Sequence, residues 1–176
     1  MAASEKQDAY FRIFDTTLGP FGVLFGSQPG KILASGFTSN ATELARLAGV
    51  PEATAMGVTT SETALAVSDY LEAYFSGRQS PFPLDLTLDQ PGTPFQDSVW
   101  KEISQIPYAS SSSYGDIAAK IGQPKGPRAV GSACGANRLA LFIPCHRVIN
   151  GSGAVGHYRW GSAIKSRLLA HEGPPH

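Results

Sequence analysis

Tyr114-Gly115-Asp116-Ile117-Ala118-Ala119-Lys120-Ile121-Gly122-Gln123-Pro124-Lys125-Gly126-Pro127-Arg128-Ala129-Val130-Gly131-Ser132-Ala133-Cys134-Gly135-Ala136-Asn137 decides the fold of the second half of this chain. Tyr114–Ile121 reads as a short helix stopped by Gly122, and Gln123-Pro124-Lys125-Gly126 as a tight turn. A second helix follows from Pro127 to Asn137, with proline in the first turn, where its missing N–H costs nothing. Two short helices joined by a glycine-containing turn have the form of a helix-turn-helix. The second is built largely from Ala129, Gly131, Ser132, Ala133, Gly135 and Ala136. That composition is poor for an isolated helix, but it lets the backbone lie very close to another surface.

Upstream, Phe95, Val99, Trp100 and Ile103 stand at helical spacing in Phe95–Ile106, which Pro107 closes, and Ala109–Ser113 is a loop of small residues. Downstream, the apolar run Leu139–Ile143 leads into Pro144-Cys145-His146-Arg147-Val148. A glycine-rich loop, Asn150–Gly156, precedes a final helix around Ser162–His171, capped by Gly173. Cys145 therefore has a rigid turn before it, a donor/acceptor beside it and a buried scaffold behind it. Those conditions favour a thiolate nucleophile over a small piece of core. Glu172 falls at a helix C-terminus, where a carboxylate is unfavourable unless a donor compensates. A histidine would be such a donor, which gives Cys–His–Glu logic to Cys145, His146 and Glu172. The plainer readings are a structural cysteine and a solvated Glu172. A metal site from Cys134, Cys145 and His146 has no CxxC or HxxxH spacing behind it.

The first half reads as mixed α/β. Strands are expected at Tyr10–Thr17, Phe21–Gly26, Lys31–Phe37 and Phe82–Leu88, and helices at Ala41–Ala48 and Thr60–Phe75. In the longer helix Ala64, Val67, Leu71 and Tyr74 share one face. Asp89-Gln90-Pro91-Gly92-Thr93-Pro94 is the best linker, and the charge changes sign there. Residues 1–91 hold five basic and ten acidic residues, net −5; residues 92–176 hold nine and four, net +5. The asymmetry suggests that the second half faces a polyanion. No apolar run approaches the length of a membrane span. The polar start, Met1–Asp8, does not read as a signal peptide. Two cysteines make no disulfide framework, so Cys134 and Cys145 are expected as free thiols in an intracellular protein.

Pro144–Val148, with Arg128-Ala129-Val130-Gly131 and Asn137 before it, resembles the O6-alkylguanine-DNA alkyltransferase family, the methylated-DNA–protein-cysteine methyltransferases. Phe95-Gln96, Trp100, Ile106-Pro107-Tyr108, Ser113-Tyr114-Gly115, Gly153–Tyr158 and Leu168–Gly173 carry the likeness further, in the family's order and spacing. The resemblance covers essentially all of residues 92–176. It implies two domains: an α/β, ribonuclease-H-like one over 1–91, and a mainly α one over 92–176 with a winged helix-turn-helix. It also implies single-use, irreversible transfer of an alkyl group from O6-alkylguanine (and O4-alkylthymine as a further substrate) to Cys145.

In that scheme His146, through water and with Glu172, takes the thiol proton. Tyr114 donates toward guanine N3, backbone at Tyr158 and Arg159 contacts O6, and carbonyls of Cys145 and Val148 accept from the exocyclic amine. Arg128 fills the stack vacated by a base rotated out of duplex DNA, and Asn137 ties the recognition helix to the active-site segment. Tyr114, Gly115, Gln123, Arg128 and Ser132 are the implied DNA contacts, made through the minor groove. The resemblance further implies a monomer, cooperative binding along DNA as an open point, no dissociable cofactor, no metal, no membrane, and a cytoplasmic location (nuclear in a eukaryotic source). Arg138 departs from the family's usual proline after the asparagine, and the first half has no cysteine for the zinc site of some relatives. Two rival readings remain: a non-catalytic alkyl-lesion sensor, a class that lacks the cysteine, and a helix-turn-helix regulator with a redox-sensitive thiol. The second leaves the Tyr114, Arg128 and Asn137 set unexplained.

Overall fold

A computed structural model describes residues 9–28, 30–51, 53–55, 62–78, 87–88, 90–123 and 126–173. The chain divides into two compact units, residues 1–90 and 91–176. The expected tail Met1–Asp8, Thr60 and Ser61, residues 82–86 of the expected last strand, and Pro124 and Lys125 of the expected turn lie outside the described residues.

In the first unit, Ala9–Thr16 (β1), Gly19–Gly26 (β2) and Lys31–Gly36 (β3) form an antiparallel meander. The β1–β2 turn is tied by Thr16, whose Oγ1 accepts from the Leu18 N–H and donates to the Gly19 carbonyl; Gly19 takes φ +101° there. Thr54–Ala55 (β4) adds in parallel beside β1 and Thr87–Leu88 (β5) beside β3, giving the order β4-β1-β2-β3-β5. β4 has no signal in the sequence, since two residues are too few for a period-2 pattern. Phe21 and Val23–Phe25 of β2, with Ile32–Ala34 of β3, are buried in succession, so both faces of the central strands are covered. Helix α1, Ala41–Ala48, packs on β2 and β3, capped at its start by Asn40 and at its end by left-handed Gly49. Helix α2, Glu62–Phe75, buries Ala64, Val67, Leu71 and Tyr74.

The second unit begins with α3, Pro94–Ile103, held by a capping box between Thr93 and Gln96. The helix stops three residues short of the expected Ile106. Ser104 Oγ bonds back to the Trp100 carbonyl, and Gln105 and Ile106 continue as tight turns to Glu102 and Ile103. The region read as a small-residue loop contains a strand: Ser112–Ser113 (β6) pairs in parallel with Val148–Ile149 (β7). Helices α4, Tyr114–Lys120, and α5, Gly126–Ala136, pack on each other and on α3. The Trp100 indole N–H donates to the Ala133 carbonyl at 2.9 Å, which anchors the last turn of α5. Gly92 lies flat on the same indole: a Cβ there would stand 2.5 Å from the ring. Helix α6, Ser162–Glu172, closes the unit.

Candidate active site

Cys145 is held by a segment with little freedom. Leu139–Ile143 are all buried, and Cys145–Arg147 form one turn of 3-10 helix whose first carbonyl accepts from the Val148 N–H. Buried Asn137 clamps both sides of it. Its Nδ2 donates to the Ile143 carbonyl at 3.0 Å and to Cys145 Sγ at 3.1 Å, while its Oδ1 accepts from the Leu139 N–H at 3.0 Å. The amide thus uses donors and acceptor alike, as burial demands.

Beside this turn lies a buried carboxylate. Glu172 Oε2 stands 2.6 Å from His146 Nε2, and both side chains are almost wholly removed from solvent. Arg147 donates to the same carboxylate through Nε at 2.8 Å and Nη2 at 3.3 Å, and through Nη1 to the Ile106 carbonyl at 2.8 Å. The Ala109 N–H supplies a further donor at 3.0 Å, aimed there by a left-handed φ of 63° that a non-glycine residue rarely adopts. A carboxylate only accepts, so the proton between Glu172 and His146 sits on Nε2. Nδ1 of the buried ring is then an acceptor, and no group among the described residues bonds to it. Burial pulls the imidazole below its usual range, against the hydrogen bond and charge of Glu172, so it rests neutral.

The cysteine opens on a cleft of about 1040 Å³ in this unit. Positions 127, 128, 131, 132, 134 and 135 of α5 line one wall at helical spacing; Tyr114, Asn150 and Gly156–Arg159 are among the others. The Arg159 guanidinium donates to the Gly135 carbonyl, linking the loop to the end of α5. Tyr114 stands beside Lys165, whose Nζ reaches the phenol oxygen at 3.4 Å and the His157 carbonyl at 3.1 Å. Burial, then the two thiols, push the phenol up to about 12, so it keeps its proton throughout the neutral range. Burial pulls the Lys165 ammonium down, and the thiols oppose that shift.

The structure gathers Cys145, Tyr114, Arg128, Ser132, Tyr158 and Arg159 around this cleft, with Asn137 bonded to the sulfur; His146 and Glu172 pair with each other and are not among the lining residues. Gly115, Gln123 and Val148 are not among its lining residues; Val148 is fully buried and Gly115 exposed. The thiol expected to become a thiolate nucleophile is not one at rest. The neighbouring Cys134 thiol, together with burial, pushes the Cys145 thiol well up, while Asn137 and Lys165 pull against this. A neutral thiol at rest is the outcome, because burial disfavours the charged form.

Three participants escape the sequence reading. Arg147 stands inside the quoted motif without a role, although it braces Glu172. Lys165 shares a face of α6 with Leu168 and Glu172, all three buried, and that spacing was the available signal. Cys134, weighed in the sequence only as a free thiol and a metal ligand, precedes Asn137 by three residues, on the wall of α5 that lines the cleft.

The sequence model described as "6-O-methylguanine DNA methyltransferase, DNA binding domain" matches residues 94–174. A methylated-DNA–protein-cysteine methyltransferase of Methanosarcina acetivorans is 38% identical over 164 residues, spanning 93% of this chain and 98% of that one. The bifunctional transcriptional activator and DNA repair enzyme Ada of Escherichia coli is 48% identical over 101 residues, 57% of this chain and 28% of its own length. Among solved structures, Mycobacterium tuberculosis OGT in complex with DNA aligns with a TM-score of 0.77 at 33% identity, over 93% of this chain and 92% of that one. No helix among the described residues is long and apolar enough to cross a membrane. Similarity that runs nearly end to end at this identity, over a shared mixed helix-and-sheet fold, places the chain in the methylated-DNA–protein-cysteine methyltransferase family.

Proposed function

We propose that this protein repairs DNA directly, taking the alkyl group from O6 of guanine onto Cys145 once and irreversibly. The observation that carries the reading is the Cys145 sulfur, held at 3.1 Å by Asn137 in a cleft that also presents the Tyr114 phenol. The sulfur attacks the alkyl carbon, the carbon–oxygen bond breaks, and its electron pair passes into the guanine. Two proton movements balance the step. The thiol proton leaves through one water to Nδ1 of His146, whose other nitrogen is already committed to Glu172. The departing guanine takes a proton at N3 from Tyr114, which Lys165 polarises from behind. Because the thiol is neutral at rest, its deprotonation belongs to the reaction step, when Asn137 and Lys165 stabilise the developing charge. The acceptor ends as a thioether, which nothing here reverses, so each chain acts once.

Helices α4 and α5 are read as a helix-turn-helix whose second helix enters the minor groove. The lack of side-chain bulk at Gly131, Ser132 and Gly135 supports such close approach. The antiparallel meander with β4 parallel at the β1 edge supports a ribonuclease-H-like reading of the first unit. Rotating the base into the cleft costs a few kcal/mol, and exposed Arg128 at the cleft is placed to fill the gap left in the stack. Duplex DNA carrying O6-methylguanine and free O6-benzylguanine separate these roles in one assay. The wild type is expected to consume one equivalent of either per chain and then stop. Arg128→Ala is expected to slow the duplex reaction about tenfold or more while sparing the free base, the loss being the flipping energy alone. Continuous turnover would contradict the single-use acceptor, and equal losses on both substrates would contradict the stack-filling role.

A further inference from the structure

Alkyl transfer employs one of the chain's two thiols, and the other, Cys134, lines the same cleft. Asn137 ties the two together: its backbone N–H donates to the Cys134 carbonyl at 3.1 Å and its Nδ2 to Cys145 Sγ at 3.1 Å. The protonation of each thiol depends on the other, and the Lys165 ammonium acts on both. Cys145 is buried, while Cys134 is half-buried at a cleft wide enough to admit a small oxidant. We propose that Cys134 is a resolving thiol for Cys145, so that hydrogen peroxide converts the pair into a reversible intramolecular disulfide that masks the acceptor sulfur.

The chemistry balances in two steps. One sulfur of the pair, as thiolate, attacks peroxide; the O–O bond breaks, hydroxide leaves, and a sulfenic acid remains. The second thiol attacks that sulfur, expelling water and closing the S–S bond, with two electrons per pair passed to peroxide. A dithiol such as dithiothreitol returns both thiols. Two thiols that line one cleft must bring their sulfurs to about 2.05 Å, a side-chain movement within that cleft. A sulfenic acid with no thiol beside it would oxidise further, beyond recovery. The pull of Cys145 and Lys165 lowers Cys134, which favours a thiolate within the pair.

The consequence for repair rests on Cys145 being the alkyl acceptor; the disulfide itself does not. The full chain treated with hydrogen peroxide is digested under non-reducing conditions and mapped by mass. The expected result is a linked Cys134–Cys145 peptide pair lighter by two hydrogens, with repair reduced at least about tenfold and restored by dithiothreitol. In Cys134→Ser and Cys134→Ala, peroxide is expected to leave sulfinic Cys145 that dithiothreitol does not rescue. Unlinked peptides in the wild type, intermolecular disulfides, or full rescue of both variants would overturn the proposal. A linked pair in a chain that accepts no alkyl group would instead overturn the function and leave this inference standing.

Discussion

Glu172→Gln is expected to destabilise the protein by about 3–5 kcal/mol, the usual cost of breaking a buried ion pair, and to slow transfer to Cys145 even where the fold survives. The His146 ring, two guanidinium nitrogens of Arg147 and the Ala109 amide all donate to this carboxylate. A glutamine offers one acceptor oxygen, and its NH₂ would face donors across a space closed to water. The largely buried Arg147 guanidinium, 11% exposed, would lose its counter-charge, and the Ala109 amide would lose its partner. Both losses exceed what a surface pair contributes, since the carboxylate is about 1% exposed. Loss of the imidazole's polarisation should remove a factor of about 10²–10⁴ from the rate, the range for a positioned acid or base. Urea unfolding and single-turnover transfer at a temperature where both proteins are folded read the two effects separately. An unchanged unfolding midpoint would contradict the structural role, and a normal rate in a destabilised protein would contradict the chemical one.

Tyr114→Phe is the second large effect. The phenol keeps its proton up to about 12, so at neutral pH it is a donor at the cleft where, in the proposed reaction, the leaving guanine gathers charge. Removing one such donor costs about 10²–10³ in rate in comparable sites. Phenylalanine preserves the ring that lines the cleft and leaves Lys165 its bond to the His157 carbonyl. DNA affinity is therefore expected to hold while the transfer rate falls. Fluorescence anisotropy with a lesion duplex, beside rapid-quench transfer, makes the comparison. Weakened binding at an unchanged rate would show that Tyr114 positions DNA and does not assist the leaving group.

Much of the reactive centre is legible in the chain because its signals are local. Pro144-Cys145-His146 follows an apolar run directly, and Glu172 sits at a helix end where a lone carboxylate is costly. The α5 cleft wall is legible from its small residues alone. The rest depends on contacts between distant residues of similar character to their neighbours. Arg147 meets the Ile106 carbonyl 41 positions earlier, and nothing in either stretch announces that bond. The β6–β7 pair joins two serines to Val148 and Ile149, so the strand exists through its partner and not through its own pattern. The neutral resting thiol was equally hidden, since its burial and the influence of Cys134 on it are tertiary effects.

These contacts also sharpen what the cysteine is. In the proposed reaction it is a reagent stored in its protonated form, with an asparagine and a lysine to stabilise it as a thiolate and a histidine to take its proton. The most direct test is the intact mass of the protein after incubation with a duplex containing one O6-methylguanine, followed by peptide mapping. The account predicts one added methylene mass per chain, located on Cys145 and absent from Cys145→Ala. An unmodified protein, or a methyl group that persists in Cys145→Ala, would contradict it.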